Sequence, residues 1–421
     1  MLSFRSGKKI IKRFSSIFKS ELESSNKIRI FVRDSIDSIV SSFLLARIFD
    51  FLMKDYHISF ANGAQGFSSL DEYDLLIFLG YSPESTTWSR RKKVPSFFID
   101  NLLDKEEEII EKENITHLNL NGVPISIAIA RLSKDINKTI FEDNLISAFL
   151  PCAWFRYNVP KISSYFFDVK TKKIIVPDLY GKLHKNLGEY LISCPFFWIN
   201  SEALNCVKKE LTKRKKLMKR PSLEFEGKKE KIINFLSEIV CSLVEANFSI
   251  KKEYLLRETF EMSGKKPLLD PFEQCYYISS FLFGNIPSKA FSFLSNLRYD
   301  EKILRFYDSS LQESFRIIKR LGIRRSNFDF VVFDLRECQR RTIRDPLFLK
   351  PSFFDGKRGF IAISKKTPNY INLLLHQKDP NKEIINRLKN IDIKIKGSGK
   401  FLDMQIKEKH LGIVFETLQK I

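Results

Sequence analysis

The sequence predicts an α/β protein with three parts in series: a mainly parallel-sheet domain, a helical middle region and a C-terminal α+β domain. Three observations carry that expectation. A β-rich run, Lys27 to Val32, passes at once into helical spacing. Short continuous apolar runs then alternate with helical patterns as far as residue 132, which is how a parallel sheet under crossover helices reads. Extended patterns return from Phe328 after a long stretch in which they are scarce. With 421 residues, the chain is long enough for two or three separate cores.

In order, residues 1–26 form a basic amphipathic arm. Arg5, Lys8, Lys9, Lys12, Arg13 and Lys19 are interleaved at helical spacing with Ile10, Ile11, Phe14, Ile17 and Phe18. Such a segment reads as a membrane-surface or targeting helix, or as an arm packed on the protein's own surface. Residues 27–190 are the first domain. After Lys27–Val32, the stripe Ile36, Ile39, Val40, Phe43, Leu44 and Phe51 is widened by Leu45, Ile48, Phe49 and Leu52 into a mostly buried helix. Asp34, Ser35 or Asp37 can cap it. Asp74 to Leu79, Ser96 to Asp100 and Ile115 to Leu120 are apolar runs suited to strands covered on both faces. Asp104 is expected to open an acidic helix, and Pro124 another through Ile125, Ile127, Ala128 and Leu132. The ligand crevice of such a sheet lies at the carboxyl ends of its strands, near Arg33 to Asp37, Gly80 and Asp100.

Residues 191–322 read as the helical connecting region, with helical spacing over Ile232 to Val244 and Lys302 to Leu321. Residues 323–421 read as the α+β domain. Its extended segments are FDFVVFDL, GFIAIS, YINLLLHQ, IDIKIKG and KFLDMQIK, with one helix after Asp379-Pro380 and a last one near His410 to Lys420.

Composition narrows the function. No apolar run reaches the roughly 18 residues of a membrane helix, so no membrane partner is expected and a cytoplasmic protein is. Six scattered cysteines without a C-x-x-C suit small core residues in a reducing compartment. Five histidines, none paired as H-x-x-x-H, do not assemble a conventional metallohydrolase site. Sixteen glycines without a phosphate-binding loop leave nucleotide cofactors unsupported. The net charge of +21 favours an anionic partner. Part of it lies in the Lys208 to Arg220 cluster (KKELTKRKKLMKR), read as a solvated helical face or a nucleic-acid contact.

The segment IFVRDSIDSIVSSFLL resembles the first motif of the DHH phosphoesterases, the superfamily of the nuclease RecJ. That motif is a strand, then D-x-D-x-D-G, then a helix with small hydroxyl residues and a Leu pair. Its carboxylates fall on Arg33, Ser35 and Asp37 and its glycine on Ser38, so Asp37 alone survives. Ser41, Ser42, Leu44 and Leu45 keep the helix character. The second motif, a strand ending in a metal-binding Asp, leads here to Gly80. The third, Asp-His-His, reads Asp100-Asn101-Leu102. Asn121-Gly-Val-Pro124 matches a following Gly-Val segment, and the region of the fourth motif, Leu145 to Trp154, has no carboxylate. Near the C-terminus, Gly397-Ser398-Gly399-Lys400 resembles the glycine-rich turn of the DHH-associated domain, with Lys400 in place of the histidine.

The resemblance implies a degenerate RecJ-like protein. Two divalent ions need several carboxylate or imidazole ligands, and Asp37 and Asp100 are relic positions too few to hold them. No metal, cofactor or catalytic residue is therefore expected. The resemblance points to the branch that holds the Cdc-type subunit of the CMG replicative helicase and its archaeal RecJ-like counterparts. It implies the GINS complex and the MCM helicase ring as partners in DNA replication at the nucleoid, with single-stranded DNA as a further ligand. Nucleic-acid-binding candidates are Gly397, Ser398, Gly399 and Lys400, whose backbone amides and amine suit phosphate, with Arg340, Arg341 and Arg33. A free-standing single-strand-binding protein and an active metal-dependent exonuclease are the alternatives.

Overall fold

The computed structural model describes residues 4–60, 72–83, 94–102, 108–225, 229–245, 255–262, 269–321, 323–324, 329–338, 341–354, 356, 358–367, 369–378, 382–389, 391, 393–397 and 400–419.

The first domain is built on a six-stranded sheet. Its strands are β1 (Lys27–Val32), β2 (Asp55–Phe60), β3 (Leu75–Leu79), β4 (Ser96–Asp100), β5 (Glu108–Lys112) and β6 (Ile115–Asn119), in the order β2-β1-β3-β4-β6-β5. All neighbours are parallel except β5, which pairs antiparallel to β6. Every residue of β3 and β4 is buried, as their unbroken apolar runs require.

The expected acidic helix after Asp104 is corrected at its described end, since residues 103–107 lie outside the described residues. Glu108 to Lys112 are an edge strand, because Glu113 adopts a positive φ of 50° and turns the chain into a hairpin with β6. Pairing overrides the helical preference of the glutamates. Strand β2, absent from the sequence reading, is the opposite edge.

Helix α1 (Phe4–Ser24) settles the choice left open for the arm. Ile11, Phe14, Phe18 and Leu22 are buried, and the rings of Phe14 and Phe18 meet Phe97 of β4 edge-on at 6.0 and 4.9 Å. The lysines point outward, and Arg13 pairs with Glu111 at 2.8 Å. The arm is a helix of the first domain. Helix α2 (Ile36–Phe51) is capped by Ser35, whose hydroxyl accepts from the Ser38 amide, and it is buried nearly all round. Helices α3 (Ile125–Ile136), α4 (Lys138–Ala148), α5 (Leu150–Trp154) and α6 (Val159–Phe167) complete the layer.

A hairpin of β7 (Thr171–Pro177) and β8 (Leu256–Met262) brackets the helices that follow, so the span read as helical also contains a strand. Within that bracket, Leu187, Leu191, Phe197, Val207 and Leu243 form a second core. Helices 271–283, 287–296 and 301–321 join the first domain to the last. The C-terminal sheet comprises β9 (Ile323–Arg324), β10 (Phe330–Asp334), β11 (Gly359–Thr367), β12 (Tyr370–Gln377), β13 (Ile393–Gly397) and β14 (Phe401–Lys407), ordered β13-β14-β12-β11-β10-β9. Helices 382–389 and 411–419 cover one face over Ile361, Leu373, Ile395 and Met404. The sheet's pairing is mixed, as expected of an α+β domain. Among the described residues, no helix is long and apolar enough to cross a membrane.

Candidate functional site: a metal-poor crevice and a basic cleft

The carboxyl ends of β1, β3 and β4 converge on one crevice. Arg33 leaves β1 with its amide donating to the Leu79 carbonyl, and its guanidinium donates to the Gly80 carbonyl at 3.2 Å. Gly80 is required there. Its φ is +80°, and a β-carbon would stand 2.6 Å from Ser38 Oγ and 3.2 Å from the Arg33 β-carbon. A carboxylate in the second motif's place would have to displace both.

Asp37 and Asp100 reach the same edge, bridged by Asn101. Asn101 Nδ2 donates to Asp37 Oδ2 at 3.2 Å. Asp37 is 6% exposed, and its oxygens face the first turn of α3. The Ile125 amide donates to Oδ2 at 2.8 Å and the Ser126 amide to Oδ1 at 3.0 Å. Burial pushes this carboxyl above the ordinary aspartate range, and the two amides pull it back. Asp100 is 1% exposed, and neither oxygen has a hydrogen-bond partner among the described residues. His117 Nε2 stands 3.4 Å from Oδ2 but is itself without a hydrogen bond.

The C-terminal domain closes the crevice from above. The backbone of Lys396 on β13 makes an isolated antiparallel bridge with Leu102, two residues after Asp100. Burial and the neighbouring Arg33 bring the Lys396 ammonium down to about 8, while Asp100, Asp403 and Asp37 oppose that fall.

These residues do not fit a pair of divalent ions. Asp37 spends its oxygens on amides, Asp34 is exposed beside Arg33, and the other positions of the motifs hold Arg33, Ser35, Gly80, Asn101 and Leu102. Among the described residues, no group of three or more His, Cys, Asp or Glu side chains could hold a metal ion.

A second feature lies between the first domain, the β7–β8 hairpin and the C-terminal sheet. It is a cleft of about 740 Å³ lined by Arg156, Lys173, Arg257, Lys350, Lys378 and Lys400, among others. Arg156 stacks 3.9 Å above Phe272 and donates to the carbonyls of Phe348 and Leu349. Arg257 and Lys350 both donate to the fully buried Asp178, at 3.0 and 2.6 Å, and together hold its carboxyl below the ordinary range. Lys173 pairs with Glu258 at 2.5 Å. Lys378 and Lys400 are exposed and form no ion pair among the described residues.

The sequence candidates thus divide. Arg33, Asp37 and Asp100 share the crevice, and Lys400 lines the cleft. Gly397 ends β13, next to Lys396. Arg341 lies in a 3₁₀ turn, Arg341–Arg344. Ser398, Gly399 and Arg340 lie outside the described residues. Sequence reasoning missed Lys396, Arg156, Arg257, Lys350 and Asp178. For Lys396 the signal was the Ile-Lys-Ile-Lys alternation of β13: it puts the lysines on the face away from the helices, which is the face that meets the first domain.

No protein-family model and no curated protein matches the sequence. Solved structures do. RecJ from Thermus thermophilus, in complex with Mn²⁺, is similar over 98% of this chain at 9% identity and a TM-score of 0.50. The chain spans about half of that protein, 54% of its length. CDC45 from Entamoeba histolytica is similar over 98% of both chains at 14% identity and a TM-score of 0.46. The order and pairing of the strands, the site at their carboxyl ends and the likeness to RecJ agree: this chain has the RecJ-like DHH fold.

Proposed function

We propose that this chain is a non-catalytic RecJ-like protein that serves as an accessory subunit of the replicative helicase, binding the GINS complex and supporting the MCM ring and single-stranded DNA. One observation carries the reading. The acid retained from the first metal motif, Asp37, accepts backbone amides of α3 with both oxygens, and so works as a helix cap. An acid serving this way stays in the sequence for the sake of the fold after hydrolysis has been given up. The partners come from the resemblance of the motifs, and the charge of +21 suits a role beside DNA.

The test is a pull-down of the full chain with purified GINS and MCM at moderate salt, alongside a manganese-dependent exonuclease assay. A stoichiometric complex without nuclease activity is expected. Nuclease activity abolished by Asp37→Ala and Asp100→Ala would overturn the reading. The basic cleft favours a second reading, a free-standing single-strand-binding protein. In that case DNA binding with a steep salt dependence appears and no complex with GINS forms.

A further inference from the structure

We infer that Arg156 anchors a phosphate-ester site in the basic cleft, with the free edge of its guanidinium taking the phosphate oxygens. This rests on the DNA-binding side of the reading above and gives it a residue. The buried cations beside Arg156 are already answered: Arg257 has Asp178 and Asp270, and Lys350 has Asp178. Lys173 has Glu258. Arg156 is half-buried, lines the same cleft and forms no ion pair among the described residues.

The side chain is held in place for such a task. Phe272 lies 3.9 Å beneath the guanidinium, and Nη2 is spent on the carbonyls of Phe348 and Leu349 at 3.3 and 2.9 Å. Nη1 has no partner among the described residues, so that edge is left for a ligand. The backbone of Arg156 has a φ of 57°, in the left-handed region that non-glycine residues rarely adopt. Strain of this kind persists where the surroundings fix a side chain for use. Burial pulls the guanidinium below the ordinary arginine value; Tyr180 and Asp178 oppose that fall, and Arg257 adds to it. Arg257 stands over the same Phe272 ring at 5.9 Å, so two cations share one face of the cleft and only one has carboxylates. An anion from outside offsets that cost. Phosphate fits, because a planar guanidinium stacked on a ring presents fixed N–H donors to its oxygens. Lys378 and Lys400 suit the remaining charge, and Ile175 and Pro160 suit the sugar or base of an ester.

The test is fluorescence anisotropy of the full chain with a 3′-labelled oligothymidylate, with and without a 5′-phosphate. The wild type is compared with Arg156→Met and Arg156→Lys. Arg156→Met is expected to weaken binding roughly tenfold. Arg156→Lys keeps the charge without the planar fork and should lose part of that. A preference for the 5′-phosphate that disappears in both variants assigns the site to a chain end. Equal weakening for the two oligonucleotides assigns it to the diester backbone, and Arg156-dependent displacement by adenosine monophosphate adds a free nucleotide. If Arg156→Met fails to fold, inorganic phosphate carries the test. It should raise the wild-type thermal midpoint above that in chloride of equal ionic strength, and do less for Arg156→Lys. Folded variants that bind every probe as the wild type does would overturn the inference, as would no phosphate shift in the wild type. Binding of poly-glutamate that depends on Arg156 as strongly as the oligonucleotide does would also overturn it, by making the ligand an acidic peptide. Complex formation with GINS enters none of these measurements, so failure of the helicase assignment and failure of the phosphate site show separately.

Discussion

The Ser126 amide donates to Asp37 Oδ1 at 3.0 Å, joining the first turn of α2 to the first turn of α3 across 89 residues of chain. An acid in the position of a metal ligand is thereby a structural acceptor. Its loss should register in stability. Asp37→Ala leaves the buried Ile125 and Ser126 amides without an acceptor, and each such group costs about 1–3 kcal/mol. Asp37→Asn keeps one acceptor oxygen and should cost less. Urea denaturation of the two variants measures the difference, and added manganese should restore neither.

The arm makes a complementary prediction. Phe18 is fully buried and meets Phe97 edge-on at 4.9 Å, so Phe18→Ala should cost about 3–5 kcal/mol. Replacing the exposed Lys8, Lys9 and Lys12 together by Gln should leave the denaturation midpoint nearly unchanged, since isolated surface substitutions change stability little. A membrane helix would show the reverse dependence, with vesicle binding lost on removing the lysines.

Much of the first sheet was legible because its strands are covered on both faces. DLLIFL and SFFID have no competing periodicity, and α2 shows its burial in the breadth of its apolar stripe. The edges were not legible. Strand β2 alternates weakly, and β5 is rich in glutamate, whose local preference is helical until β6 supplies a partner. The crevice was legible at Arg33, Asp37 and Asp100, which lie in motifs close along the chain. Lys396 and the Asp178 network were hidden because their partners lie far off in sequence: Lys350 meets Asp178 across 172 residues, and only the fold brings them together.

That network ties the β7–β8 pair to the connection between β10 and β11 of the C-terminal domain. Lys350 donates to Asp178 at 2.6 Å and to the Leu256 carbonyl at 2.9 Å, and both charged side chains are buried. Lys350→Met leaves Asp178 answered by Arg257 alone. Breaking one side of such a buried pair typically costs about 3–5 kcal/mol, and chemical denaturation should show a loss of that order. Asp178→Asn strips Lys350 of its carboxylate and leaves Arg257 to Asp270, and should also lower stability in the same assay.

Asp345 supplies the pH dependence. Burial raises its carboxyl to about 7, against the pull of the Tyr307 hydroxyl, which donates to it at 2.9 Å, and of Arg344. The folded state holds this proton up to about 7, whereas the unfolded chain releases it near the ordinary aspartate value of 3.8. The unfolded chain therefore binds fewer protons across that interval, and this group's contribution to stability falls as pH rises from about 4 to about 7. Asp345→Asn removes the ionisation. Its stability relative to the wild type should climb through the same window and level off above it, which denaturation at a series of pH values will show.

The cleft makes the sharpest statement about nucleic acid. Lys378 and Lys400 line it, are exposed, and have no ion pair among the described residues, so their charge is available to phosphate. Each phosphate neutralised on a single strand adds about 0.7 to the slope of log affinity against log salt. Lys378→Ala with Lys400→Ala should therefore weaken binding to an unstructured oligonucleotide and flatten that slope by roughly 1.4. Lys208→Ala with Lys209→Ala, on the exposed end of helix 201–212, provides a comparison of equal charge. If both pairs flatten the slope alike, the protein attracts DNA by net charge. If the cleft pair alone does so, the strand runs between the hairpin and the C-terminal sheet, past Lys400.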